Sequence, residues 1–246
     1  MKRFRSELHI HTVLSPDGGI EMIPPLIVRK ALELNLDLIA ITDHNASENA
    51  PAVMRAAEGT SLAVLPGIEL QTREEVHCIC LFDTVDQLKE LQKLVDKKLP
   101  DIQNNVELFG EQFIVDHTGD FIKRKETLLL NSTRFSFEEA FQVVNNLNGL
   151  FVPAHVNRKA FGVIYNLGFV PTTIPLFGLE ISRHISPEQA VILFPELQNF
   201  SLIQNGDVHY LDDFLGATTF FLEKPTIEEL KFALMHKHGR YFEVSS

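Results

Sequence analysis

Short apolar runs with strand character recur between helical segments, and most of them end in a histidine or a carboxylate. The runs are Leu38 to Ile41, Leu62 to Leu65, Val76 to Phe82, Leu150 to Ala154, Leu179 to Ile181, Leu202 to Ile203 and Thr218 to Leu222. Such alternation of strand and helix specifies an α/β fold. Between the runs, Leu26, Ile27, Ala31 and Leu34 fall at helical spacing, as do Leu88, Leu91 and Val95 in a segment ended by Pro100. Ser136 with Glu139, Ser186 with Gln189 and Thr226 with Glu229 each predict a capping box at a helix start. Residues near 100–135 are the least regular and read as an insertion within a single domain spanning 1–246.

The residues that close the strands carry the chemistry. His9 and His11 follow the first strand, Asp43 and His44 the second, and Glu69 the third. Downstream, His155 closes Leu-Phe-Val-Pro-Ala, Glu180 and His184 lie in or just beyond Leu-Glu-Ile, and Asp207 and His209 follow Ser-Leu-Ile-Gln-Asn. In a barrel of parallel strands all carboxyl ends share one face, so these residues converge there. His77 begins its strand instead, which predicts that this strand runs against the others. His-x-His on an extended segment points both imidazoles the same way, toward one cation. Five or six imidazoles with two or three carboxylates exceed the needs of one ion and predict a cluster. Imidazole-rich sites suit Mn, Zn or Fe better than Mg alone.

Leu-His-Ile-His-Thr, Ile-Thr-Asp-His-Asn, Gly-Ile-Glu, Pro-Ala-His and Gly-Asp-Val-His, in this order, resemble the motifs of the PHP (polymerase and histidinol phosphatase) family, from residue 7 to about residue 240. The resemblance is closest to stand-alone PHP phosphoesterase-like proteins. It implies a distorted (β/α)7 TIM-like barrel with a two- or three-metal site at the C-terminal ends of the strands, and phosphoester hydrolysis. By the same resemblance His9, His11, Glu69 and Asp207 hold one metal, and Glu69 bridges to a second held by His77 and His155. His44 and His209 hold a third. The acidic partner of the third ion aligns with Gly19, so that Asp17, with Glu21 as its rival, is the carboxylate available here.

Three residues are assigned catalytic roles. Asp43 either orients an imidazole or delivers a proton, and His184 lines the pocket or shares that proton role. Arg158 is expected to clamp a substrate phosphate, with a surface ion pair as the alternative. Glu180 is expected to brace the cluster from behind, His236 and His238 to suit a helix end, and Lys123-Arg124-Lys125 to form a solvated turn. Cys78 and Cys80, at i and i+2 in an apolar run, read as buried reduced thiols.

Acidic residues outnumber basic ones 33 to 22, a formal charge of −11. The expected partner is therefore a small phosphorylated substrate, nucleotides included, with no duplex nucleic acid and no membrane. The basic N-terminus is not followed by an apolar signal core, and a cytoplasmic protein is expected. The activity expected is a metal-dependent phosphoesterase that attacks with a metal-activated hydroxide. An amidohydrolase-type hydrolase of C–N bonds and a non-catalytic regulatory module are the competing readings.

Overall fold

In the computed structural model, which describes residues 1–245, β1 (Lys2–Ile10), β2 (Leu38–Ile41) and β3 (Ala63–Gln71) pair in parallel. A tight turn then reverses the chain, so β4 (His77–Leu81) lies antiparallel both to β3 and to the next strand in the sheet, β7 (Leu150–Pro153). β8 (Leu179–Ile181) and β9 (Leu202–Gln204) form a parallel pair. Two junctions close the circuit. Val156 N donates to Glu180 O at 2.8 Å beyond β7, and Val208 N donates to His9 O at 2.9 Å where β9 meets β1. The result is the expected distorted seven-strand barrel with one strand reversed. β10 (Thr218–Leu222) and β11 (Tyr241–Val244) extend the sheet from the N-terminal half of β1.

Period-two alternation sorts the apolar side chains into two cores. Leu38, Ala40, Leu65, Ile79, Leu81, Leu150 and Val152 fill the barrel, which α8 (Ile227–Leu234) plugs with Leu230, Ala233 and Leu234. Their neighbours Ile39, Ile41, Ile68, Leu70, Cys78 and Cys80 face outward beneath α1 (Pro24–Glu33), α2 (Ala50–Ala56), α3 (Val85–Lys98) and α5 (Phe137–Asn146). Burial of each such aliphatic side chain contributes about 1.5–3 kcal/mol. Both cysteines are free and buried. Inward parity on β3 and β4 runs on from Leu65 to Glu69 and back from Ile79 to His77, which places those two at the open end of the barrel.

Capping boxes stand at Ser136 and Ser186, and a third, at Thr84 with Gln87, starts α3. The box expected at Thr226 does not form. Glu229 is drawn instead to Arg240 at 2.9 Å and to the Glu223 N–H. α6 (Val163–Leu167) and α7 (Pro187–Leu193) are short crossovers.

Residues 100–135 contain α4 (Val106–Phe109) and a hairpin of β5 (Phe113–Val115) with β6 (Phe121–Arg124). Asn45 donates to Leu129 O and Asn131 O, and Asn49 donates to Phe113 O and accepts from Val115 N, which ties the segment to the loop after β2. Gly110, at φ +96°, lies where any Cβ would strike Pro16 O. The basic run is not a solvated turn. It closes β6, with Arg124 on Glu111 at 2.7 Å and Lys125 on Glu48 at 2.6 Å. No helix among the described residues is long and apolar enough to cross a membrane.

Candidate metal centre

At the open end of the barrel, Glu69 is 1% exposed and is ringed by imidazoles. Its Oε1 lies 3.1 Å from His9 Nε2, 2.9 Å from His77 Nδ1 and 3.3 Å from His155 Nε2, and its Oε2 lies 2.8 Å from His44 Nδ1 and 3.5 Å from His11 Nε2. Asp207 Oδ1 stands 3.3 Å from His9 Nε2 and 3.5 Å from His11 Nε2. Three compact groups can each hold a cation: His9, His11, Glu69 and Asp207; His44, Glu69 and His77; and His11, His44 and His209. Asp17 lies beside the last, 3.1 Å from His209 Nε2 and 3.4 Å from His44 Nε2. Glu21 folds its carboxylate against Gly19 instead.

The side chains fit divalent ions on their own terms. His9 Nε2, His11 Nε2, His77 Nε2, His155 Nδ1 and Glu69 Oε2 are buried without a hydrogen-bond partner among the described residues. Each such atom costs about 1–3 kcal/mol when left unsatisfied, and cations satisfy nitrogen and oxygen donors together.

Rear contacts set the tautomers. Glu180 accepts from His9 Nδ1 at 3.1 Å, from His155 N at 3.0 Å and from Asn205 Nδ2 at 2.7 Å. Ser15 Oγ gives its proton to Asp43 at 2.8 Å, so it accepts from His11 Nδ1 at 2.9 Å. Both arrangements aim the Nε2 lone pairs of His9 and His11 at the cluster. Asp43 therefore lies behind His11, receives Thr12 N at 2.7 Å and Thr12 Oγ1 at 2.8 Å, and does not face the cavity. Burial pushes its carboxyl up to about 6 against those bonds. Glu7, absent from any sequence motif, accepts from Gly206, Leu215 and Gly216 and fixes the turn that carries Asp207 at φ +52°. Burial lifts Glu7 to about 7, against those three N–H donors.

Electrostatics follow the same layout. Burial, with His209 and His44 nearby, lowers His11 to about 3. Burial also depresses His77 to about 4, despite Glu69. Burial opposes a charge on His44, yet Glu69 and Asp17 lift it to about 10. Burial opposes ionisation of Glu69 as well, but the surrounding imidazoles hold it well below the carboxylate range.

A cavity of about 460 Å³ lies over the cluster, walled by Phe109 of the 100–135 segment and by Phe161, which stacks on His77 at 4.3 Å. Arg158 reaches from its rim to Asp207. His184 is not in this cavity; it lines a neighbouring one with Arg183, a residue that no sequence pattern marks. Ser15 and Asn205 are equally silent in sequence.

The family model described as PHP domain matches residues 7–157. This chain belongs to the PHP family. The PHP chain thus has an α/β, TIM-like fold whose side chains can hold divalent ions. It is 34% identical over 80 residues, 30% of its own length, to the 5'-3' exoribonuclease Rnm of Salmonella typhimurium, of which that stretch is 26%. The fold is similar to a lesion-specific endonuclease of Pyrococcus furiosus (TM-score 0.75, 18% identity, 98% of this chain and 58% of that one). An Endonuclease Q complex with a 27-mer duplex substrate, an abasic lesion at its active site, superposes at TM-score 0.70 and 17% identity over 98% of this chain and 58% of that one. An amidohydrolase from Chromobacterium violaceum with bound sulfate superposes at 0.60, 17% identical, over 94% and 96% of the two chains. The PHP chain spans little more than half of the endonuclease chains.

These relatives overturn one expectation. A net charge of −11 was the argument for a small phosphorylated partner and against duplex nucleic acid, yet Endonuclease Q, which is similar in fold, holds a duplex substrate with the lesion at its active site. Net charge sums over the whole surface, whereas phosphate contact is local and depends on the cations of one cleft.

Proposed function

We propose that this PHP protein is a metal-dependent phosphodiesterase acting on nucleic acid. Glu69 carries the reading: one buried carboxylate, facing three imidazoles with one oxygen and two with the other, suits a bridge between divalent ions. The nuclease relatives supply the substrate class. His9, His11, Glu69 and Asp207 would hold the first ion; Glu69, His77 and His155, with His44 close by, the second; and His44, His209 and Asp17 the third. When bound, the ions supply Lewis-acid charge to the phosphate and lower the pKa of water.

The chain's own groups do the positioning. Glu180 and Ser15 hold the His9 and His11 rings from behind, and Asp43 holds Ser15. Asp43 has both oxygens engaged by Thr12 and Ser15, so its role is orientation and not proton delivery. Arg158, paired with Asp207, would be free to contact a substrate phosphate where Asp207 holds a cation. Phe161 covers His77 and keeps water from that face.

The test is cleavage of single-stranded and duplex oligonucleotides by Mn-, Zn- and Fe-loaded protein, beside amide and anilide substrates. Phosphodiester cleavage with no amide turnover is expected. Amide turnover alone would establish the C–N hydrolase instead, and full metal content without turnover would establish a non-catalytic module.

A further inference from the structure

A second cavity, of about 540 Å³, adjoins the first and shares His155, Arg158 and Asp207 with it. The two differ in chemistry. Phe109 and Phe161 face the first, whereas Arg183 and His184, from the loop after β8, face only the second. Arg183 spends one nitrogen on Asp213 Oδ1 at 3.1 Å, while Asp213 Oδ2 is engaged by the N–H groups of His209 and Tyr210. A guanidinium has five N–H donors, so most of those of Arg183 remain for a ligand. Of the carboxylates in the wall, Glu180 is 1% exposed and its acceptors are taken by His9, His155 and Asn205. Asp207 is committed to Arg158 or to a cation.

We propose that this second cavity is a subsite for a phosphate group one nucleotide removed from the scissile one, gripped between Arg158 and Arg183. The inference rests on the phosphodiesterase reading. A strand crossing the centre lays a nucleoside among the rings of the first cavity and its flanking phosphate between the guanidiniums of the second. Arg158, at the shared wall, is the boundary between the two positions. The flanking group is either a terminal phosphate, on the 5' or the 3' side, or an internal one.

Three dinucleotides, bearing a 5'-phosphate, a 3'-phosphate or neither, test the subsite with the Mn-loaded protein, by turnover and by equilibrium binding in Ca²⁺. One terminal phosphate is expected to lower KM and Kd about tenfold, the scale of a charge-assisted contact, and the end that does so fixes strand polarity. Arg183→Gln should bring the ratio of KM values close to one with metal content at the parent level, and Arg183→Lys should restore part of it. Should Arg183→Gln fail to fold, the parent series decides alone. Equal KM and Kd for all three dinucleotides in the parent would overturn the subsite and leave phosphodiester cleavage standing. Phosphate-dependent binding with no cleavage of any of them would overturn the phosphodiesterase reading and leave the subsite standing.

Discussion

The two ends of the imidazole cluster are built to different standards. At the deep end, His9, His11 and Glu69 are at most 1% exposed, and both histidines are held from behind by a bonded acceptor. At the shallow end, the side chains of Asp17 and His209 are 41% and 19% exposed, and they hold each other across the mouth. The deep end costs more to keep without ions, because its unsatisfied atoms have no water to turn to. The shallow end is solvated, so the gain or loss of an ion there is expected to change the fold little. Rigid ligands behind a bonded shell and adaptable ligands at a rim therefore predict two classes of metal affinity in one site.

Chelation strikes both ends and should have the largest effect. Ions bound only by the folded state contribute about 4 kcal/mol at a thousandfold excess over Kd, so their removal should lower Tm by roughly 8–16 °C and abolish turnover. An unchanged melting curve after verified metal removal would erase the distinction between the ends. Glu69→Gln comes next. It removes the charge both inner groups share, and activity should fall on the order of a thousandfold with loss of about two metal equivalents by elemental analysis.

Glu180→Gln and Ser15→Ala leave every ligand in place and disturb only the rear bonds. Metal affinity should fall by roughly 10–100-fold, read by competition with a chromophoric chelator; parental affinity in both variants would mean that the deep end is not held by its backing. Asp17→Asn should have a smaller effect still, the loss of one weakly held equivalent with partial recovery of rate in excess Mn. Glu21→Gln should lose none, since its carboxylate rests on Gly19, and a lost equivalent there would exchange the two residues' roles.

Features that obey a period were legible before the fold was known. Strand ends, their closing histidines and carboxylates, and the reversed direction of β4, read from His77 standing first in its run, all follow from alternation along an extended chain. Side chains that act through a neighbour were not. Ser15 matters because its hydroxyl is committed to Asp43, and Glu7 because three N–H groups from residues about 200 positions away converge on it. Nothing local distinguishes either from an ordinary polar residue. Thr226 and Glu229 display the spacing of a cap, but Arg240 competes for the carboxylate and wins. The charge argument failed for a related reason, since a sum over the chain holds no information about where its cations stand.

Reversal of β4 also bears on how the site assembles. Glu69 and His77 are 8 residues apart, whereas His9 and Glu180 are separated by 171. Loop-closure entropy grows by about 0.6 kcal/mol per doubling of length, and local pairings form early while distant ones wait on the rest of the chain. These separations predict that the β3–β4 hairpin brings a carboxylate and an imidazole together before the barrel closes. His9, His155 and Asp207, which come from distant parts of the chain, are then expected to reach Glu69 and His77 last, as the barrel closes.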